Sequence, residues 1–328
     1  MQAVFYERIG AARDVLQASE LPDPTPGAGE VRVRLRWSGV NPSDAKTRAG
    51  MRTAVLPFPR IVPHSDGMGV IDAVGAGVAA SRVGERVWVW NAAWERAFGT
   101  AAQYVVLAQA QAVKLPASTP DEAGACLGIP ALTAMHAVLA LGGVAGRTVL
   151  VAGGAGAVGH YAVQFAKLLG ASLVIATVSS PAKAELARAA GADLVIDYRR
   201  DKVTELVLAA TQGRGVDRVI EVDIAANALL DLDIIRPGGE LVVYGSGAMT
   251  FTLPFGPLIG KNVTLAFFIV YRLEAADRER AISTLTGLLE TIGLIHNISE
   301  RLPLAEIALA HEHVEQGQTL GNVVLSIP

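Results

Sequence analysis

A glycine-rich turn constrains the fold of this chain more than any other feature. A G-x-G-x-x-G pattern is formed by Gly154, Ala155, Gly156, Ala157, Val158 and Gly159. The pattern follows an apolar strand predicted at 148–152 and opens a helix predicted at 160–169. In this context the first glycine allows a tight turn, the second lets the backbone approach a pyrophosphate, and the third lets helix and strand pack closely. The turn therefore predicts a dinucleotide-binding strand–helix unit, and the alternative is a plain glycine-rich connection.

Strands and helices alternate around this turn from about residue 120 onward. Strands are predicted at 148–152, 173–178, 194–197, 218–222 and 240–244, and helices between them at 160–169, 182–190, 202–210 and 225–235. Such alternation builds a parallel sheet with right-handed crossovers. An aromatic content of only 5% and 34 glycines suit strands that are buried on both faces beneath closely packed helices.

The first hundred residues predict β structure instead. Residues 31–37 alternate apolar side chains with arginines, as a half-buried strand does. Further short strands are expected at 2–6, 70–74, 86–90, 104–107 and 112–115, separated by glycine- and proline-rich turns. A length of 328 residues accommodates two domains. The expected fold class is α/β, with a small β-barrel domain and a doubly wound parallel-sheet domain.

Composition excludes several classes of protein. A single cysteine rules out a disulfide framework and a zinc cage of several thiolates. The net charge of −3 lacks the excess of positive charge that is typical of nucleic-acid-binding proteins. Two uncharged stretches, 123–146 and 241–260, are long enough for a bilayer, but proline and paired glycines favour buried elements over membrane spans. The first ten residues show no secretory signal, so a cytoplasmic location is expected.

The residues after the second strand of the alternating region bear on cofactor choice. A site that prefers NAD places Asp or Glu about 20 residues beyond the glycine turn, to bind the ribose 2′-hydroxyl. Here the strand is followed by Ser179, Ser180 and Lys183, with no acid before Glu185. Tyr198, at the end of the next strand, and the adjoining Arg199 add a ring and a second cation. The missing acid favours NADPH over NADH, although Lys183 alone is equally consistent with a solvent-facing helix position.

Further motifs extend along nearly the whole chain. They are 39–42 (GVNP), 65–75 (SDGMGVIDAVG), 84–87 (GERV), 128–134 (GIPALTA), the turn at 153–159, 237–239 (PGG) and 310–312 (AHE). With these motifs the chain resembles the medium-chain dehydrogenase/reductase superfamily, and within it the zinc-independent NADPH:quinone oxidoreductase branch that includes zeta-crystallin. The resemblance implies a GroES-like β-barrel catalytic domain at 1–120 and 262–328, with a Rossmann NADPH-binding domain inserted at 121–261.

The resemblance also implies which residues contact the cofactor. It places Asn41 near the nicotinamide and Thr133 near the carboxamide or ribose. It places main chain against the cofactor at Tyr244, Gly245, Ser246, Phe268, Ile269 and Val270. Asn322 is a further expected contact.

Zinc is not expected, although alcohol dehydrogenases of the resembled superfamily use it. The position of their first cysteine ligand is Asn41 here, and the position of their histidine ligand is Ser65. His64 lies one residue earlier, where its side chain points differently. His311 and His313 are two apart on a predicted helix, so they cannot chelate one ion from a single face.

One departure from the resembled branch concerns the acceptor. Quinone reductases usually carry tyrosines at two positions after the Asn41 motif, and this chain has Lys46 and Arg52. If both face the cleft, these cations could polarise a carbonyl or attract an acidic substrate. The alternative is that the loop is displaced and both point to solvent.

The leading hypothesis is hydride transfer from NADPH to a quinone or another conjugated carbonyl, whose conjugation delocalises the developing charge without a metal. Lys46, Arg52 and Asn41 are the candidate catalytic residues. One alternative is a 2-alkenal or enoyl-thioester reductase. Another, from a different class, is an NADPH-binding protein with a structural or RNA-binding role, as zeta-crystallins also have.

The expected oligomeric state depends on one segment. Residues 263–271 form an apolar, β-prone run that would be a liability as an exposed sheet edge. Pairing across a two-fold axis would cover it, and the resemblance likewise implies a homodimer.

Overall fold

The computed structural model describes residues 1–317 and 319–328. These form two compact units, Met1–Ile129 with Thr286–Pro328, and Pro130–Leu285. The two units are called the barrel unit and the nucleotide unit below. The expected domain boundaries lie at 120/121 and 261/262, and the chain passes from one unit to the other at 129/130 and 285/286.

Strands and helices are numbered along the chain. The strands are β1 (Gln2–Phe5), β2 (Gln17–Glu20), β3 (Glu30–Val40), β4 (Asp66–Val74), β5 (Arg86–Val89), β6 (Tyr104–Ala108), β7 (Ala112–Lys114), β8 (Thr148–Val151), β9 (Leu173–Val178), β10 (Leu194–Asp197), β11 (Val216–Glu221), β12 (Ile235–Val243), β13 (Thr264–Phe267), β14 (Ile298–Pro303) and β15 (Asn322–Ser326). The helices are α1 (Ala12–Val15), α2 (Pro42–Arg48), α3 (Asp121–Gly124), α4 (Leu132–Leu139), α5 (Gly159–Leu168), α6 (Pro181–Ala189), α7 (Val203–Ala210), α8 (Ile224–Ile234), α9 (Phe255–Gly260), α10 (Ala275–Thr291) and α11 (Ile307–Glu315).

The barrel unit is built on a seven-stranded sheet around the long strand β3. The strand order is β14-β15-β3-β4-β5-β7, with β6 also paired to β3. The alternation predicted for β3 is confirmed: Val31, Val33 and Leu35 are buried, while Arg34 and Arg36 are exposed. β15 runs antiparallel to β3, so the end of the chain completes a sheet that the first hundred residues begin.

The nucleotide unit is a six-stranded parallel sheet in the order β10-β9-β8-β11-β12-β13. The connections from β8 lead to β9 on one side, and β11 lies on its other side, so the strand order reverses beside β8. In open α/β sheets such a reversal forms a crevice at the carboxyl ends of the strands. The predicted α/β fold class, with its parallel Rossmann-type sheet, is confirmed.

β13 explains why the nucleotide unit extends beyond residue 261. Thr264–Phe267 pairs in parallel with the last residues of β12 and so adds a sixth strand to this sheet. The apolar pattern of this segment was noted in the sequence, but its strand partner was not. None of the helices in the described part of the chain is long and apolar enough to cross a membrane.

Candidate functional site

The glycine turn of the nucleotide unit connects β8 to α5, as predicted. Gly154 donates its N–H to the carbonyl of Thr177 on β9 at 3.0 Å, and Gly153 donates to the Thr177 hydroxyl at 3.2 Å. The positive φ of the turn, +67°, belongs to Gly153, which precedes the predicted motif. Thr177 was not singled out in the sequence, and Gly153 entered only as the first residue of the 153–159 motif.

The three motif glycines have different surroundings. A Cβ on Gly154 would lie 2.6 Å from the Cβ of Ala176, and a Cβ on Gly159 would lie 2.2 Å from the carbonyl oxygen of Gly153. A Cβ on Gly156 would approach only the Gly153 carbonyl, at 3.3 Å. Gly154 and Gly159 are thus needed by the protein's own packing, while Gly156 leaves space beside the N-terminus of α5.

The residues predicted to choose the cofactor lie at the ends of β9 and β10. Ser180 caps α6 by accepting the Lys183 N–H at 3.3 Å, and the Lys183 ammonium donates to the Ser179 hydroxyl at 3.1 Å. Tyr198 is tied to the end of β9 through its N–H and the Val178 carbonyl, at 3.0 Å, and its side chain is exposed. Lys183 is held against the loop, so its positive charge and two hydroxyls lie together.

A second group of predicted residues lies on α4 and at or just beyond the ends of β12 and β13. Thr133 is buried in the first turn of α4. The ring of Phe268 contacts the rings of His136 and Tyr244, with centroids 4.5 and 6.4 Å apart. Main chain in this region is close-packed as well, since a Cβ on Gly245 would lie 2.2 Å from the Val222 carbonyl. The remaining residues predicted here, Ser246, Ile269 and Val270, adjoin these in the chain.

In the barrel unit, Asn41 lies at the start of α2 between two buried carboxyl groups. Its side-chain Nδ2 donates to Asp66 Oδ2, and its backbone N–H donates to Asp44 Oδ2, both at 2.9 Å. The Ile129 N–H also donates to Asp66 Oδ2 at 2.9 Å. Burial raises the pKa of Asp66 well above its usual range, and burial raises the pKa of Asp44 to about 7 despite the hydrogen bond from Asn41. Asn41 is therefore held in one orientation. Asn322 also belongs to this unit and donates to the Asn297 carbonyl at 3.0 Å.

A chain of buried hydrogen bonds runs from α11 to the backbone of Asp66. The Thr100 hydroxyl donates to the Asp66 carbonyl at 2.6 Å, because a carbonyl only accepts. The Ser38 hydroxyl must then donate to Thr100, at 2.7 Å, and accept from His64 Nδ1, at 2.8 Å. The remaining His64 Nε2 can only accept, so His311 Nε2 donates to it at 2.9 Å.

This chain of donors fixes the tautomers of both histidines. Burial lowers the pKa of His64 to about 3, and burial also lowers the pKa of His311. Both rings are therefore neutral near pH 7. The pairing of His64 with His311 was not anticipated from sequence.

The residues considered as metal ligands are used otherwise. Both ring nitrogens of His64 take part in hydrogen bonds, and His313 pairs with Glu300 at 2.8 Å. Within residues 1–317 and 319–328, no three His, Cys, Asp or Glu side chains are grouped to hold a metal ion. The resemblance places Asn41 and Ser65 at the positions of zinc ligands in alcohol dehydrogenases, and neither an amide nor a hydroxyl is a ligand that zinc favours.

Lys46 and Arg52 lie on α2 and just beyond it. Lys46 is half-buried and Arg52 is exposed. Arg48, between them, is buried, and its guanidinium pairs with Glu315 of α11 and donates to the Gly10 carbonyl. Arg48 and Asp44 were not singled out from sequence, because their partners lie in distant parts of the chain or in the backbone.

Comparison with known proteins places the chain in a family. Residues 27–117 match the model of the alcohol dehydrogenase GroES-like domain, and residues 157–287 match that of the zinc-binding dehydrogenase domain. A quinone oxidoreductase of Pseudomonas aeruginosa is 33% identical, with 95% of each chain covered. A 2-haloacrylate reductase of a Burkholderia species is 31% identical, with 99% of this chain and 98% of the relative covered.

Solved structures agree with these matches. An NAD-dependent alcohol dehydrogenase superposes with a TM-score of 0.91 at 30% identity and full coverage of both chains. The quinone oxidoreductase of Escherichia coli, solved in complex with NADPH, superposes with a TM-score of 0.85 at 25% identity, covering 99% of this chain and 100% of the other.

GroES-like and Rossmann-type units in one chain define a medium-chain dehydrogenase/reductase, as the sequence motifs predicted. The chain belongs to this superfamily and, within it, to the quinone oxidoreductase branch, which makes it an oxidoreductase of that type.

Proposed function

We propose that the protein is a zinc-independent oxidoreductase that uses NADPH to reduce quinones or other conjugated carbonyl compounds. The observation that carries this proposal is the glycine turn with open space at Gly156, followed by a β9 end that holds hydroxyls and a lysine. The relatives named quinone oxidoreductase support the acceptor class.

The preference for NADPH is proposed from the end of β9. No carboxylate occurs there to bind a ribose 2′-hydroxyl, and Ser179, Ser180 and Lys183 offer donors and a positive charge to a 2′-phosphate. Tyr198 lies beside them at the end of β10. The NADPH complex of the E. coli relative supports the proposal, while the NAD-dependent title of another structural neighbour makes a direct comparison of the two cofactors necessary.

Zinc independence is proposed from the donor set in the barrel unit. The amide of Asn41 is bound to Asp66, Ser65 is not a ligand that zinc favours, and His64 has no nitrogen left for a metal. Without a Lewis acid, the acceptor must delocalise negative charge itself, and conjugated carbonyls do so.

The chain's own residues would then bind the cofactor, orient it towards the acceptor and stabilise the charge that develops on the acceptor. NADPH supplies the hydride, and water supplies the proton that completes a two-electron reduction of the acceptor. The turn at Gly153–Gly159 would hold the pyrophosphate through N–H groups, and Thr133 with main chain at Tyr244–Val270 would hold the nicotinamide half. Asn41, locked by Asp44 and Asp66, would contribute a fixed amide, and preorganised donors of this kind stabilise charge without reorganising.

A second candidate is reduction of a 2-alkenal, enoyl thioester or related conjugated C=C bond. It uses the same hydride step on a different acceptor. The relative named 2-haloacrylate reductase, which matches over nearly the full length, supports this second candidate.

The test is a panel of ortho- and para-quinones, 2-alkenals, enoates and enoyl thioesters, each assayed with NADPH and with NADH. Cofactor oxidation with quinones, at least tenfold more efficient with NADPH, is expected. The variant Lys183→Ala should lower the ratio of catalytic efficiency with NADPH to that with NADH, while Lys202→Ala, which changes an exposed lysine, should leave this ratio unchanged.

Metal analysis and chelator treatment belong to the same experiment, and loss of activity on chelation would refute zinc independence. No turnover with any acceptor would refute the proposal.

We also propose a homodimer formed through the β13 edge. β13 ends the described six-stranded sheet, Phe267 on it is 56% exposed, and its ring lies 6.2 Å from that of Phe251, which is also exposed. An exposed apolar sheet edge is normally covered. A cytoplasmic location stays a prediction.

A further inference from the structure

Two buried carboxyl groups of the nucleotide unit have no part in the contacts described so far. Glu221 ends β11 and Asp231 lies on α8, and the two residues are 0% and 1% exposed. Among the described residues, no lysine, arginine or histidine acts on either carboxyl group. A buried carboxylate without a cation is costly, so these groups are stabilised by keeping a proton.

The geometry of α8 brings the two carboxyl groups together. The Asn227 side chain donates from Nδ2 to Glu221 Oε1 at 3.0 Å, so this face of α8 meets the end of β11. Asp231 follows four residues later and therefore lies on the same face. Glu221 Oε2 and Asp231 Oδ2 are both buried, and neither has a hydrogen-bond partner in the described part of the chain. A single proton between these two oxygens would give each of them a partner.

The surroundings of the two carboxyl groups favour retention of that proton. Burial raises the pKa of both groups, and the negative charge of Glu221 raises the pKa of Asp231 further. The other polar or titratable groups that face the pair are Asp223, Asn227 and Tyr244. None of these is a cation, and Asp223 adds negative charge. Without the shared proton, two adjacent carboxylates would repel each other with no positive charge to offset them.

The pair is connected to residues 244–247, called the β12 loop below, three of which are expected to contact the cofactor. Glu221 Oε1 accepts the N–H of Asp223. Asp223 Oδ1 in turn accepts the Gly247 N–H at 2.7 Å, and the Tyr244 N–H donates to the Glu221 carbonyl at 3.1 Å. Glu221 thus fixes both ends of the β12 loop, one through its own carbonyl and the other through Asp223.

We propose that Glu221 and Asp231 are positioning residues that share one proton and thereby hold the β12 loop in the form that binds NADPH. The inference rests on the proposed NADPH-dependent function and adds a pH dependence to it. When the proton is released to water, repulsion moves the Glu221 carboxylate away from the Asp223 N–H, and the hold on Gly247 loosens. NADPH binding should therefore weaken on the alkaline side of neutrality, where a 2′-phosphate is already fully ionised.

The first test measures the dissociation constant of NADPH by fluorescence, at constant ionic strength, from pH 7 to pH 10. For the wild type this constant should rise about tenfold or more, because binding linked to one proton weakens up to about tenfold per pH unit. Asp231→Asn donates a permanent hydrogen bond to Glu221, so it should bind NADPH as the wild type does at pH 7 and show no alkaline loss. Asp233→Asn changes an exposed carboxylate on the same helix and, as the matched control, should keep the wild-type profile.

The shapes of these profiles decide. An alkaline loss in Asp231→Asn as large as in the wild type would overturn the inference, because Lys183 and the other residues expected at the cofactor are unchanged in that variant. A wild-type dissociation constant that stays level up to pH 10 would overturn it as well. Asp231→Leu cannot donate to Glu221 and should weaken binding already at pH 7; an affinity equal to that of Asp231→Asn would show that this hydrogen bond does not hold the β12 loop.

Hydrogen exchange in the ligand-free protein separates the inference from the proposed function. The Gly247 N–H loses its acceptor when the β12 loop loosens, so peptides that cover 244–247 should exchange about fivefold faster in the wild type than in Asp231→Asn at pH 9.5. At pH 7 the two proteins should exchange equally fast. This pattern supports the shared proton and its hold on the loop, even if NADPH binds at no pH and the proposed function fails. Equal exchange in the two proteins at pH 9.5 overturns the inference.

Discussion

At the residue scale, the atoms around each glycine of the turn show why a glycine is needed there, and the reason differs between Gly154 and Gly156. Gly154 is closed in by Ala176 of the neighbouring strand, whereas Gly156 faces space that no protein atom fills apart from the Gly153 carbonyl. A methyl group at either position therefore tests a different property: packing at Gly154 and access for a ligand at Gly156.

We expect Gly154→Ala to destabilise the protein by about 1–3 kcal/mol, because a Cβ 2.6 Å from the Ala176 Cβ forces the strand to shift. Gly156→Ala should change stability by less than about 1 kcal/mol and weaken NADPH binding about tenfold or more. Thermal unfolding of the ligand-free protein and NADPH titration measure the two effects. Unchanged NADPH affinity in Gly156→Ala would contradict the assigned role of this glycine.

Asp66 gives a second prediction at this scale. Its Oδ2 accepts from two buried donors, Asn41 Nδ2 and the Ile129 N–H. Asp66→Leu leaves both unpaired and should lower the free energy of unfolding by about 2–5 kcal/mol. Asp66→Asn keeps an acceptor oxygen and should cost less than half as much. Urea denaturation measures the free energy of unfolding of both variants. Equal losses of stability in the two variants would show that these hydrogen bonds do not cause the loss.

Residue-scale features were predictable where their causes are local. The glycine pattern and the serines and lysine after β9 are visible in a single sequence as short local motifs, although the contacts of Gly154 with Ala176 and Thr177 are not. The His64–His311 pair joins residues 247 positions apart, and Arg48 meets a partner 267 positions away. Periodicity carries no information about such pairs, so His64 could only be considered as a displaced metal ligand.

At the scale of elements, β13 shows how an apolar run can be noticed in the sequence while its partner strand stays unknown. Its pattern predicts a strand, but the choice of neighbouring strand depends on the topology of the sheet. β14 was missed because three consecutive polar residues, 299–301, interrupt the apolar alternation that predicts a strand. α4 ends at Leu139, because Leu141, Gly142 and Gly143 beyond it have positive φ, which a helix does not continue through.

The exposed edge of β13 supports a test of the proposed dimer. Phe267→Lys places a charge on the edge strand and should raise the dimer dissociation constant about 100-fold or more. Leu229→Lys, at a similarly exposed position on α8 (65% against 56% for Phe267), is the matched control and should leave the assembly unchanged. Light scattering at micromolar concentration distinguishes the states, and a wild-type monomer would refute the dimer outright.

At the scale of the whole molecule, buried titratable groups affect stability in opposite directions. His64 and His311 have lower pKa values in the folded state, so the unfolded state binds their protons first. Their contribution is present above about pH 6.5 and is lost as pH falls below it. Asp44, with its pKa raised to about 7, behaves oppositely: its neutral form is favoured in the fold, and stability is lost as pH rises from about 4 towards 7.

Replacing both histidines should isolate their contribution to the pH dependence of stability. The double variant His64→Gln/His311→Gln has no imidazoles to protonate at these positions, so it does not lose this stability as the pH falls. The wild type does, and the difference in free energy of unfolding between the two proteins should shrink by about 2 kcal/mol between pH 6 and pH 5. Chemical denaturation at each pH provides the free energies. A gap that stays constant with pH would mean that the two imidazoles titrate normally in the folded protein, and NMR titration of the wild type would then show both changing near pH 6.5.

The position of β15 in the barrel unit has a consequence for synthesis on the ribosome. β3 receives one of its neighbours only when residues 322–326 have been made, after every strand of the parallel sheet is already in the chain. Translation adds about 5–20 residues per second, which is slow beside the formation of local helices and strands. The nucleotide unit can therefore be completed co-translationally, while the N-terminal half of the other sheet waits with an open edge for the last segment. A nascent chain stalled before residue 322 would be the form most in need of a chaperone.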